Sequence, residues 1–109
     1  PKVLMLQIRD FLIKNPQLDA LYFSTNYLCV AGLKAIQMLS EKRDFGLISF
    51  DDHELFDLLQ PTISCIQQPL PAIAEKVVSL LLQQLQQENA PIQEFIIPSK
   101  LIIRASSLG

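Results

Sequence analysis

The chain has 109 residues, half of them hydrophobic and 18% charged, with a formal net charge of −2. That composition supports a packed core rather than a disordered chain, and the charge, with no basic run, leaves no electrostatic footprint for nucleic acid. No apolar run approaches the roughly 18 residues of a membrane span, and no basic stretch at Pro1 marks a secretory signal, so the reading is one cytoplasmic domain, or a piece of one.

Residues 2–14 have helical periodicity, with Leu4, Ile8, Phe11 and Leu12 on one stripe and Gln7, Asp10 and Lys14 opposite. Asn15-Pro16 ends that helix, because proline disfavours a helical residue before it. Residues 18–24 ("LDALYFS") are apolar without clean alternation, as in a strand covered on both faces. From residue 26 to about 41, Leu28, Ala31, Ala35 and Leu39 form the apolar face of a second helix. Residues 45–50 form a second buried strand. A strand–helix–strand unit of this length predicts parallel strands joined by a right-handed crossover.

Residues 53–59 read as a short helix before Pro61, and residues 62–66 ("TISCI") as a third strand. The longest helix runs from residue 69 to about 87, with an apolar face so broad that it predicts burial against more than one surface. Residues 92–104 ("IQEFIIPSKLIIR") read as two short strands about Pro98-Ser99. Cys29 and Cys65 lie in apolar segments without metal-site spacing and read as buried, reduced thiols.

In an open α/β sheet, ligands bind outside the carboxyl ends of the parallel strands. Ser24-Thr25-Asn26 closes the first strand and Asp51-Asp52 closes the second, so both clusters are predicted to project from one sheet edge. Helix capping also accounts for them: Ser, Thr and Asn are N-caps, and Asp51-x-x-Glu54 has the form of a capping box. Two acids are more than one cap requires, however. A carboxylate accepts from adjacent sugar hydroxyls, and an amide such as Asn26 or Gln68 both donates and accepts. Such a site suits a polyol, and three glycines in the whole chain provide no phosphate cradle. His53 is the only histidine and reads as a solvated loop residue, so no catalytic triad assembles, and the third acid that a magnesium site would want is missing at the first strand end. The reading is therefore of a non-enzyme with no cofactor, no metal and no catalytic residue. Leu55, Phe56, Leu58 and Leu59 follow the acids too closely for one short turn to bury them all, which predicts a surface patch.

The stretch "LISFDDHELFDLLQPTISCIQQPLPAIAEKVVSLLLQQL" resembles the carboxyl-terminal part of the LacI/GalR family of bacterial transcription regulators. That family shows a strand ending in an aromatic residue and two aspartates, then a proline, a "TTV-x-Q" strand and a long helix. Phe50-Asp51-Asp52, Pro61-Thr62-Ile63-Ser64, Ile66-Gln67-Gln68-Pro69 and Ile73-Ala74 match it. Upstream, "FSTNYLCVAGLKAI" resembles the family's "N-D-x-x-A-x-G" segment, and "IIPSKLIIRASS" its "L-x-P-x-L-I-x-R-x-S" terminus. Tyr27 departs from the pattern, standing where aspartate usually follows the asparagine.

The resemblance implies an α/β, type I periplasmic-binding-protein-like fold, mostly parallel sheet flanked by helices and here partial. Residues 1–109 would be the last third of a two-lobed effector domain. The first two strands would belong to the second lobe, the third would cross between lobes, and the long helix would pack on the first lobe. The DNA-binding head would lie upstream. The resemblance carries effector contact to Asn26, Asp51 and Gln68, with Phe50 flanking the pocket, and a homodimer interface to Leu55, Phe56, Leu58 and Leu59. The implied partners are a sugar or related effector, a second copy, and DNA through the absent head, with no membrane. A transport-type periplasmic sugar-binding protein is the alternative function, and a small flavodoxin-like hydrolase a third.

Overall fold

A computed structural model of the chain describes residues 2–87 and 89–108. The chain divides into two compact units, one of Pro1–Gln67 with Leu101–Gly109, the other of Gln68–Lys100. Its elements run α1 (Lys2–Lys14), β1 (Ala20–Phe23), α2 (Asn26–Gln37), β2 (Gly46–Phe50), a 3-10 turn (Glu54–Asp57), β3 (Ser64–Gln67), α3 (Leu70–Gln86), β4 (Lys100–Ile102) and a second 3-10 turn (Ala105–Ser107). The sheet order is β1-β2-β3-β4. β1 and β2 are parallel, with Ala20 opposite Gly46 and Phe23 opposite Ser49. β2 and β3 are also parallel, with Ile48 opposite Ser64 and Phe50 opposite Ile66. The strand–helix–strand unit expected across residues 18–50 is thus formed, and its strand ends share one rim.

In the first unit, α2 begins where the Thr25 hydroxyl accepts from the Leu28 N–H at 3.1 Å, satisfying one of the helix's orphan donors. It ends at Gln37, short of the expected residue 41. The Met38 and Leu39 N–H groups reach back three residues, to Ala35 and Ile36, and this tighter winding closes the helix. Its buried residues are small: Cys29, Ala31, Gly32 and Ala35. They let the helix sit close to the core of Phe23, Leu47, Phe56, Ile63 and Cys65. At Gly32 the approach is closest, because a methyl group there would overlap the Phe23 ring. Alanine in a helix normally gains about 1 kcal/mol over glycine, but overpacking a core costs about 1–3 kcal/mol. Gly32→Ala is therefore expected to destabilise the protein, read as a lower urea midpoint; a midpoint equal to or above wild type would show that the ring yields.

Arg43, in the polar link between α2 and β2, ties α1 to the sheet. Its guanidinium donates to the carbonyls of Leu12 (2.7 Å), Asn15 (3.1 Å), Pro16 (3.3 Å) and Leu18 (2.9 Å) and lies over the Phe45 ring at 4.6 Å. The carbonyls at the end of α1, and those of the turn after it, thereby gain a charged donor. Leu12 is the residue of α1 that is fully buried.

The end of the chain fastens β2 to β3. Ser106 is buried, donates from Oγ to the Leu47 carbonyl at 2.6 Å and accepts from the Ser64 N–H at 2.8 Å. The Ser106 N–H in turn donates to the Thr62 carbonyl at 2.8 Å. Residues of the "R-x-S" terminus thus satisfy strand backbone groups that the ladder alone would leave unpaired.

The second unit holds α3, preceded by Pro69, whose carbonyl accepts from the Ile73 N–H at 2.9 Å. Nearby, the Lys76 ammonium lies 4.2 Å from the centre of the Phe95 ring. α3 has no buried residue. One expectation fails in this unit. Residues 92–97 form no strand: Ile92 and Ile96 are almost fully exposed, and an apolar run becomes a strand only where a neighbour takes its backbone hydrogen bonds. Among the described residues, no helix is long and apolar enough to cross a membrane.

Candidate functional site

The carboxyl rim of the first unit brings two corners together. Asn26, the first residue of α2, donates from Nδ2 to the Asp52 carbonyl at 3.0 Å. The exit of β1 is thereby hydrogen-bonded to the exit of β2, which is the juxtaposition the parallel topology predicts. At the second corner the chain leaves β2 through a left-handed residue, Asp51, at φ 76°. Aspartate tolerates this region better than most residues, but it remains uncommon outside glycine and is characteristic of functional corners. The Asp51 N–H still reaches the Ile66 carbonyl at 2.9 Å, so the strand ladder holds the residue in place.

The paired acids have different environments. The Asp52 carboxylate accepts from the His53 N–H at 2.8 Å, from Gln67 Nε2 at 3.0 Å and from an Arg104 terminal nitrogen at 3.1 Å. Burial pushes its pKa up, but the hydrogen bonds from Arg104 and the His53 N–H outweigh this and hold the carboxyl below the ordinary value of 3.8. The Asp52 hydrogen bond likewise keeps the Arg104 guanidinium more firmly protonated than usual. Arg104 reaches two further groups, Asp57 at 2.8 Å and the Ile63 carbonyl at 2.8 Å. The Asp52 carboxylate thus has a structural duty.

This corrects the capping-box reading. The 3-10 turn is capped by His53, whose Nδ1 accepts from the Leu55 N–H at 3.0 Å, and not by Asp51. His53 thus caps the turn from a partly exposed loop position.

The other predicted residues fall as follows. Phe50 is the half-buried last residue of β2, paired with Ile66. Gln68 belongs to the second unit, where its carbonyl accepts from the Leu70 N–H at 2.9 Å. The leucine-rich cluster divides: Phe56 is fully buried in the core, Leu59 packs partly against it, and Leu55 and Leu58 are exposed at 43% and 74%. A side chain with no exposure cannot touch a partner, so Phe56 drops out of the expected surface patch, while Leu55, Leu58 and the partly exposed Leu59 stay in it.

Both cysteines are buried and free. Burial pushes each thiol up to about 11, and at Cys65 the hydrogen bond from the thiol to Asp52 adds to the rise, so neither is a nucleophile near neutral pH. Among the described residues, no three of His, Cys, Asp and Glu converge to hold a metal ion. A groove of about 590 Å³, lined by Asp19, Ile36, Phe45, Gly46 and Ile63 among others, opens at the amino ends of the strands, opposite the acid rim. Tyr27 lines a smaller groove of about 320 Å³ with Lys2 and Met5 of α1 and Lys34 of α2.

Sequence reasoning found the acid and amide corners but missed Arg104. One signal was present: Arg104 is a lone cation closing an apolar run, and a cation in such a place needs an acid to meet it.

Comparison with known proteins places this geometry in context. The family model for the periplasmic binding protein-like domain matches residues 3–107. A ribose operon repressor from Halalkalibacterium halodurans is 24% identical over 103 residues, which are 93% of this chain and 31% of the repressor. The crystal structure of a LacI family transcriptional regulator from Enterococcus faecium with bound ribose aligns with a TM-score of 0.81 at 19% identity, covering 94% of this chain and 39% of that one. The transcriptional regulator CelR in complex with cellobiose aligns with a TM-score of 0.83 at 20% identity, covering 94% of this chain and 32% of that one. The chain therefore spans about a third of the length of these relatives. The resemblance read from its motifs holds, and the chain belongs to the periplasmic binding protein-like domain family, in the form found in LacI/GalR-type regulators.

Proposed function

We propose that residues 1–109 are the carboxyl-terminal part of the effector-binding domain of a sugar-responsive transcription regulator, and that Asn26, Phe50 and Asp51 form one wall of its effector site. The observation that carries this reading is the hydrogen bond joining the Asn26 corner to the Asp51-Asp52 corner at the carboxyl rim of the parallel sheet, where ligands of such sheets bind. The relatives support it, since one is a repressor of a ribose operon and two are solved with ribose and cellobiose. They favour a regulator over a transport protein and over an enzyme, although the fold can serve many functions.

In this reading Asp51 accepts from adjacent hydroxyls of a sugar, Asn26 offers its remaining amide groups, and Phe50 supplies apolar surface beside the ring. Binding one lobe arrangement better than the other shifts the equilibrium between them, and by linkage the affinity of the upstream head for DNA. Leu55, Leu58 and the partly exposed Leu59 are the residues we assign to the homodimer contact. The protein acts in the cytoplasm, as DNA binding requires.

Removing the charge at Asp51 is expected to weaken sugar binding without unfolding the domain. A charge-assisted hydrogen bond contributes about 1.5–3 kcal/mol, so Asp51→Asn should cost about tenfold or more in affinity. The test is titration calorimetry of the full-length protein with ribose and cellobiose. An affinity equal to wild type, in a variant with unchanged melting temperature, would overturn the assignment.

A further inference from the structure

A single guanidinium spans the segment that leads from the acid corner to the exposed leucines. Arg104 Nε meets Asp57 at 2.8 Å, while its terminal nitrogens meet the two Asp52 carboxylate oxygens at 3.1 and 3.4 Å. Asp52 directly follows the left-handed Asp51. Asp57 closes the 3-10 turn, between the exposed Leu55 and Leu58. Arg104 is itself fixed, because its N–H donates to Ser64 Oγ at 2.8 Å and its carbonyl accepts from the same hydroxyl at 3.0 Å. The arginine side chain is 12% exposed, whereas Asp57 is 71% exposed.

We propose that Arg104 is a positioning residue: its guanidinium, anchored on β3 and held by Asp52 at one end of residues 51–57 and by Asp57 at the other, locks the acid corner and the leucine-bearing turn into one register. The planar fork makes this possible, since its donors point in fixed directions and serve two carboxylates at once. Lysine offers the charge from a single point and cannot span both. The exposed arm to Asp57 is weak as a stability element, but it sets where the fork points. Releasing it frees the guanidinium to turn about its contacts with Asp52 and the Ile63 carbonyl, so a change at the turn is felt at the corner. Where this meets the sugar site, the inference rests on the function proposed above.

The test begins without ligand, by amide hydrogen exchange on the full-length protein carrying Asp57→Ala or Arg104→Lys. Asp57→Ala alters an exposed side chain, and an unchanged melting temperature confirms that it folds. The expected result is severalfold faster exchange not only at Phe56 and Leu58 in the turn but also at the Asp51 and His53 amides, whose partners are Ile66 and Asp52. Arg104→Lys should reproduce the pattern. Faster exchange confined to the turn, or none at all, overturns the proposal; if Arg104→Lys does not fold, Asp57→Ala decides alone. With ribose or cellobiose as probe, Asp57→Ala should also weaken binding severalfold. Unchanged binding in that variant, where Asp51→Asn weakens it, overturns the link to the site. Unchanged binding in Asp51→Asn overturns the sugar assignment itself and leaves the exchange result to judge the clamp.

Discussion

Asp52→Ala should lower the unfolding free energy by about 3 kcal/mol, because it strands a largely buried guanidinium; removing one partner of a buried ion pair costs about 3–5 kcal/mol. The lower end applies because Arg104 keeps Asp57 and the Ile63 carbonyl. The loss extends beyond the ion pair, since the His53 N–H and the Gln67 amide lose their acceptor as well. Urea unfolding of wild type and variant at neutral pH measures the difference. The pH dependence gives a second check. The folded-state pKa of Asp52 lies below its ordinary value of 3.8, so its contribution is fully present above pH 3.8 and disappears as the pH falls through the lower folded value. The gap between wild type and variant should therefore be constant from neutral pH down to about 3.8 and narrow below it. A gap that stays open in strong acid would show that packing, not charge, makes the difference.

Arg43→Ala should cost about 2–4 kcal/mol, since hydrogen bonds from a charged donor contribute about 1.5–3 kcal/mol each when buried and less where water can replace them. Two of its four carbonyl contacts are short, 2.7 Å to Leu12 and 2.9 Å to Leu18. The same substitution removes the cation from the Phe45 ring, a contact of about 0.5–2 kcal/mol. Lysine at this position keeps a cation near the carboxyl end of α1, where the helix dipole favours one, but it cannot serve carbonyls spread from Leu12 to Leu18. Arg43→Lys is thus expected to recover less than half of the loss. Chemical unfolding followed by circular dichroism measures both, and full recovery by lysine would show that charge alone holds α1.

The order of strands and helices was legible because burial imposes a period, and the corner at Asp51 was legible because an apolar strand ends abruptly in carboxylates. Arg43 and Arg104 were not legible in their roles. Arg43 sits in a run, Glu41-Lys42-Arg43-Asp44, that reads as an ordinary solvated link. Its acceptors lie some 25 to 31 positions earlier in the chain, and no local pattern signals that two loops converge. Asp52 and Arg104 are 52 positions apart, so the structural duty of Asp52 depends on a tertiary contact that no local pattern announces. The same reasoning explains residues 92–97, whose composition suits a strand but which, among the described residues, form none. The end of α2 was overestimated because Leu39 continues the apolar stripe beyond the point where the backbone tightens.

The fastening of β2 and β3 by Ser106 bears on how the polypeptide is made. The Leu47 carbonyl and the Ser64 N–H meet their partner only when residue 106 is present. During synthesis the ribosome releases about 5–20 residues each second, and the earlier strands must wait through some forty further residues before their last hydroxyl arrives. Nascent chains of this protein should therefore resist protease only once that serine has cleared the exit tunnel, and a stop codon placed shortly before it should yield a product that quality-control machinery removes.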